Sequence, residues 1–120
     1  YEPDMSIVKK AEEINGKNSL KIFNDPYSAI DGTHVLYTDV WASMGEEDAK
    51  ERKEKDFEGF TIDKNLLMKA ENNAIVMHCL PAYRSKEIAD EVIESKKSRI
   101  FEQAENRLHV QQALLACLLS

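Results

Sequence analysis

Cysteine is nearly missing from this chain: Cys79 and Cys117 are the only two in 120 residues. They lie far apart, form no CxxC pair and have no histidine at zinc-finger spacing, which excludes a structural zinc module. Two free thiols suit a reducing compartment, so a cytoplasmic location is expected, although one disulfide is also compatible with the sequence. Positive charge is in deficit as well, with 16 Lys plus Arg against 22 Asp plus Glu and a net charge of −6. A protein that tracks nucleic-acid phosphates needs a basic face, so no nucleic-acid partner is expected. Long apolar runs are absent. The best candidate, residues 113–119, falls far short of the roughly 20 residues that span a bilayer, so no membrane partner is expected either. No internal repeat and no low-complexity linker breaks the chain.

What remains is a composition that can fold. Hydrophobic residues make up 42% and charged residues 32%, enough for a packed core in one domain or the larger part of one. The chain opens at Tyr1 without an initiator Met and enters a helical pattern almost at once, which reads as an excerpt of a longer protein. Asp4 is placed to cap a helix carrying Met5, Val8, Ala11 and Ile14, with Gly16 to end it. Residues 20–23 read as a short strand closed by Asn24-Asp25-Pro26, and a helical turn follows over residues 27–30. The β-branched and aromatic run HVLYTDVW, residues 34–41, is the best early strand.

Residues 45–59 carry hardly an apolar side chain before Phe57. Glu46/Lys50, Asp48/Arg52 and Glu51/Lys55 fall at i,i+4 with the acid first, so a solvated helix is expected there, one that also suits a mobile flap. A short helix over residues 63–70 precedes AIVM, residues 74–77, an apolar run suited to a strand buried on both faces. Residues 86–94 read as helix, residues 99–101 as a last short strand, and residues 103–119 as a final helix whose apolar surface exceeds one stripe. Strands alternating with helices predict an α/β fold: a Rossmann-like, doubly wound parallel sheet with helices on both faces.

In such a sheet, ligands bind at the carboxyl ends of the strands. Three polar clusters fall at those ends. Asp39, Trp41, Ser43 and Met44 follow the first strand; His78, Cys79, Leu80 and Pro81 follow the second; Glu102, Gln103, Glu105 and Arg107 follow the third. Each residue also has a plainer reading. Asp39 can cap a turn, Ser43 a helix, and Trp41 and His78 can belong to the core. Cys79 can be an inert buried thiol, and Arg107 can pair on the surface with Glu105 or Gln103. Three coincident strand ends together imply one crevice for a small polar ligand.

The blocks DVWASMGEE (residues 39–47), HCLPAYR (residues 78–84) and FEQAENRLHVQQALL (residues 101–115) resemble the ornithine carbamoyltransferases, in the right order and across essentially the whole chain. HCLP in place of HPLP distinguishes the pattern from aspartate-using relatives, and Ser43-Met44-Gly45 from putrescine-using ones. The resemblance implies transfer of the carbamoyl group from carbamoyl phosphate to the side-chain amine of ornithine, without cofactor or metal. It assigns catalysis to Asp39, Cys79 and Arg107 and substrate binding to Asp39, Ser43, Met44, Cys79, Leu80 and Arg107. Asp39 would hold the α-amino group, and Ser43 and Met44 would close on the amino-acid end. Cys79 and the Leu80 backbone would sit by the reacting amine, and Arg107 would bind the carbonyl oxygen of carbamoyl phosphate. His78 and Pro81 would only shape the site.

The family's Ser-x-Arg-Thr phosphate loop does not occur in this chain. The resemblance therefore implies residues 1–102 as a partial ornithine-binding domain. Residues 103–120 would form a helix crossing back to a carbamoyl-phosphate domain, in a homo-oligomer that is a trimer across the family. Two other functions stay compatible with the residues: carbamoyl transfer to another ornithine-like amine, and a non-catalytic α/β module that binds a small ligand at the same edge.

Overall fold

The computed structural model describes residues 1–43, 45 and 47–120, with Glu47 described by its backbone alone. Helix α1, Met5–Asn15, begins where the Asp4 carboxylate accepts the Ser6 N–H at 2.7 Å. Of its apolar stripe only Val8 is buried, while Met5 and Ile14 stand largely in solvent. Helix α2, Pro26–Ala29, is a single turn whose N-cap, Asp25, accepts from both Tyr27 and Ser28. Residues 20–23 differ from expectation. They form no strand among the described residues, and Leu20, Ile22 and Phe23 are exposed. A strand needs a neighbour to take its backbone groups, and none of the described segments lies alongside.

Strand β1, Val35–Thr38, pairs in parallel with strand β2, Ile75–His78, in the register Leu36↔Val76 and Thr38↔His78. A single parallel bridge, Val76↔Ser98, extends the sheet on the far side of β2 through Val76 N–H to Lys97 O and Arg99 N–H to Val76 O. The strand expected at residues 99–101 is thus reduced to one bridging residue. Helix takes over at Ile100. That helix, α6, runs over Ile100–Leu119.

Between the strands, a 3-10 turn, Glu47–Ala49, leads into α3, Lys50–Asp56, and Asp63 caps α4, Lys64–Lys69, by accepting the Leu66 N–H at 2.8 Å. Neither Asp48/Arg52 nor Glu51/Lys55 closes to an ion pair, and Glu46 of the third expected pair lies outside the described residues. The helix expected over residues 86–94 is shorter: α5 covers only Asp90–Ile93. The preceding residues 85–87 form a turn and Ile88 bridges Ile62: Ile62 N–H bonds Glu87 O and Ala89 N–H bonds Ile62 O, a pairing that helix would forbid.

The core lies on one face of the sheet. Leu36 and Val76 meet Ile62, Leu66, Ile88, Val92 and Ile100 there, with Val76, Ile88 and Ile100 fully buried. Each such side chain contributes roughly 1.5–3 kcal/mol through burial. On the other face Val35 and Tyr37 remain about half exposed. Beyond Gln103, every residue of α6 is exposed. No described helix is long and apolar enough to cross a membrane.

Candidate active site at the strand ends

Parallel pairing with Thr38 opposite His78 sends both chains off the sheet at the same rim, so Asp39 and Cys79 become neighbours. Side chains alternate along a strand. Leu36, Val76 and His78 face the core, and the alternation continued past the strand ends turns Asp39 and Cys79 to the open face shared with Tyr37. There the Cys79 sulfur lies within 4.8 Å of the Asp39 carboxylate, which accepts the Val40 N–H at 2.7 Å. The two groups shift each other in opposite directions. The thiol, together with the Val40 N–H, holds the Asp39 carboxyl below the usual carboxylate range. The carboxylate, aided by partial burial, raises the Cys79 thiol above its ordinary value. At neutral pH the pair is an S–H donor and a carboxylate acceptor.

Tyr37 joins this group from β1. Its hydroxyl accepts from Gln103 Nε2 at 3.1 Å, tying the first turn of α6 to the rim. Gln103 Oε1 is buried without a hydrogen-bond partner among the described residues. Arg107 stands one turn further along the same helix face, four residues from Gln103. It is exposed and makes no hydrogen bond or ion pair among the described residues; Glu105 pairs instead with His109. The guanidinium is therefore uncommitted.

His78 is fully buried, and both ring nitrogens are engaged. Leu80 N–H donates to Nδ1 at 2.9 Å, which places the ring proton on Nε2, and Nε2 lies 3.2 Å from Glu87 Oε1. The same Oε1 accepts the Tyr83 N–H. This network holds the turn after β2, where Leu80 takes a left-handed conformation (φ 57°) ahead of a cis bond to Pro81. A branched aliphatic residue rarely occupies that region, so the surroundings must impose it.

Ser43 is exposed at the mouth of a recess of about 80 Å³ that it shares with Trp41, Lys50, Glu54, Tyr83 and Lys86. Across this recess Lys86 pairs with Glu54 at 2.8 Å and Lys50 lies over the Tyr83 ring, so α3 leans on the turn after β2. Met44 lies outside the described residues. A wider groove of about 560 Å³ follows the free edge of β1, reaching Asp39 at one end but walled by Leu36, Val40, Phe57 and Phe60. Its apolar lining reads as uncovered core.

Asp39, His78 and Cys79 bring a carboxylate, an imidazole and a thiol within 4.8 Å of one another at the ends of β1 and β2, where the sequence placed two of its polar clusters. The His78 ring cannot ligate a metal without breaking its bond to Leu80 N–H or to Glu87. As built, the cluster offers a cation only Asp39 and Cys79. Sequence reasoning missed Tyr37 and Glu87. Strand alternation from Asp39 would have found Tyr37; nothing in the pattern of KEIADEVI distinguishes Glu87 from a surface acid.

The sheet, the rim and the adjacent carboxylate and thiol define an α/β domain with a polar cluster at its strand ends. The family described as aspartate/ornithine carbamoyltransferase, Asp/Orn binding domain, matches residues 1–118, and the chain belongs to it. The ornithine carbamoyltransferase of Prochlorococcus marinus (strain MIT 9312) is 67% identical over the whole chain, which covers 39% of that relative. The chain thus spans about two-fifths of such a protein's length. The structure of ornithine carbamoyltransferase from Pyrococcus furiosus superposes with a TM-score of 0.85 at 45% identity, over 97% of this chain and 38% of that one. An N-acetyl-L-ornithine transcarbamylase structure is also similar, with a TM-score of 0.79 at 30% identity, over 98% of this chain and 37% of that one.

Proposed function

We propose that this domain holds ornithine in an enzyme that transfers the carbamoyl group of carbamoyl phosphate to the ornithine side-chain amine, giving citrulline and phosphate. The observation that carries the reading is the Asp39–Cys79 pair at the strand ends, with an uncommitted Arg107 on the helix anchored beside it. Asp39, held ionised, receives the α-ammonium group and orients the amino acid. Ser43 and Met44 close over its amino-acid end. The neutral side-chain amine attacks the carbonyl carbon, forming a C–N bond beside Cys79 and the Leu80 backbone. Arg107 stabilises the oxygen as it gains charge, the bond to phosphate breaks, and the amine loses its proton. No metal or organic cofactor enters this scheme.

Residues 1–102 act in this proposal as the ornithine-binding part. Residues 103–120 belong to a helix that crosses to a carbamoyl-phosphate domain, its exposed Leu108, Leu114 and Leu118 supporting that role. A cytoplasmic trimer is the proposed setting. The decisive assay uses an enzyme of the relatives' full length that carries this segment. Ornithine should be turned over in clear preference to acetylornithine and putrescine, and Arg107→Ala should cut kcat/KM by roughly 10²–10³. Citrulline made by the isolated 120-residue chain would overturn the need for a second domain, and unchanged activity in Arg107→Ala would sink the assigned role of Arg107. The N-acetyl-L-ornithine transcarbamylase neighbour supports a second reading, transfer to the free side-chain amine of an acylated ornithine, and the same substrate comparison decides between them.

A further inference from the structure

Resting on that reaction, we infer that Glu87, acting through His78, is a positioning residue for the thiol and peptide that face the reacting amine. A Glu side chain 1% exposed in a domain this small demands a structural reason, since carboxyl groups are rarely buried without a partner. Its Oε1 collects two donors, the His78 Nε2–H and the Tyr83 N–H. His78 then uses its other nitrogen to take the Leu80 N–H at 2.9 Å. The chain of bonds Glu87–His78–Leu80 therefore crosses the turn that carries Cys79 and fixes it from inside the protein.

Two consequences follow for the rim. The Leu80 N–H is consumed by the imidazole, so it is no donor to a ligand, whereas the Leu80 carbonyl accepts no hydrogen bond among the described residues and stays available to an amine. The left-handed Leu80, with φ of 57°, persists because the ring holds its N–H. Without the clamp the turn relaxes, and both the carbonyl and the Cys79 sulfur leave their positions. The function of Glu87 is that of an acceptor at one point, so an amide oxygen at the same point should serve.

The test compares Glu87→Leu and Glu87→Gln in the full-length enzyme carrying this segment, each in a Cys117→Ser background. Glu87→Leu should lower kcat by about 10–100-fold while the KM for carbamoyl phosphate stays within about threefold, since misplacing reacting groups by an ångström costs on that order. Glu87→Gln should restore kcat to within about fivefold of the parent. A second readout does not depend on catalysis: iodoacetamide should alkylate Cys79 several-fold faster in Glu87→Leu than in the parent or in Glu87→Gln. Equal alkylation in all three proteins overturns the clamp, as does a Glu87→Gln enzyme as impaired as a folded Glu87→Leu. If Glu87→Leu does not fold, Glu87→Gln decides, and loss of its kcat overturns the inference. A parent enzyme inert toward ornithine defeats the proposed reaction alone, and the alkylation comparison still judges the clamp.

Discussion

At the residue scale, the closeness of Asp39 and Cys79 sets the protonation of both partners. Asp39 is lowered, so its contribution to stability is present above the unfolded carboxyl value and is lost as acid protonates it in the fold. Cys79 is raised from its ordinary 9.0, so its contribution is complete below that value and disappears as alkali ionises the folded thiol. Cys79 should accordingly alkylate slowly at neutral pH and accelerate only above about pH 9. Asp39→Asn removes the charge that favours the protonated sulfur. The midpoint of the alkylation-rate profile, measured in a Cys117→Ser background, should then move to lower pH; a midpoint moving upward would contradict the pairing.

Elements here are set by their ends more than by their length. Asp4, Asp25 and Asp63 each accept a backbone N–H at a helix start, and all three helices begin where an acid was available to cap them. Asp63 matters most for the core, because α4 presents the buried Leu66 and Leu67. Asp63→Ala should destabilise the domain by about 1 kcal/mol, visible as a lower Tm. The elements that departed from expectation did so for want of local information. The sequence KEIADEVI has helical periodicity, yet a turn over residues 85–87 and the bridge of Ile88 to Ile62, some 26 positions away, keep residues 86–89 out of the helix. Likewise SRIF has strand composition, but only Ser98 meets β2 before α6 begins.

Over the whole molecule, burial is uneven. The core packs one face of a two-stranded sheet, while α6 is exposed along its length beyond its first turn and the edge of β1 is open. Stability follows burial. Amides of β2 should be the slowest to exchange with deuterium in the isolated chain, and those of α6 beyond Arg107 among the fastest, read by mass spectrometry of peptic fragments. In a protein of the relatives' full length, α6 should become protected. Equal exchange of α6 in both would remove the case for a helix that docks elsewhere.

By itself the sequence determined the two parallel strands, the capped helices and the polar residues at the strand ends, but not the strands expected at residues 20–23 and 99–101. Those depend on local chemistry: β-branched runs, capping acids and the rare pairing of DVWASMG with HCLP. Tertiary structure alone decided that Asp39 and Cys79 come within 4.8 Å of each other, that Gln103 bonds Tyr37, and that Glu87 is buried against His78. Strand register and long-range pairing made those choices, and both arise from contacts between segments distant along the chain, which no local pattern encodes.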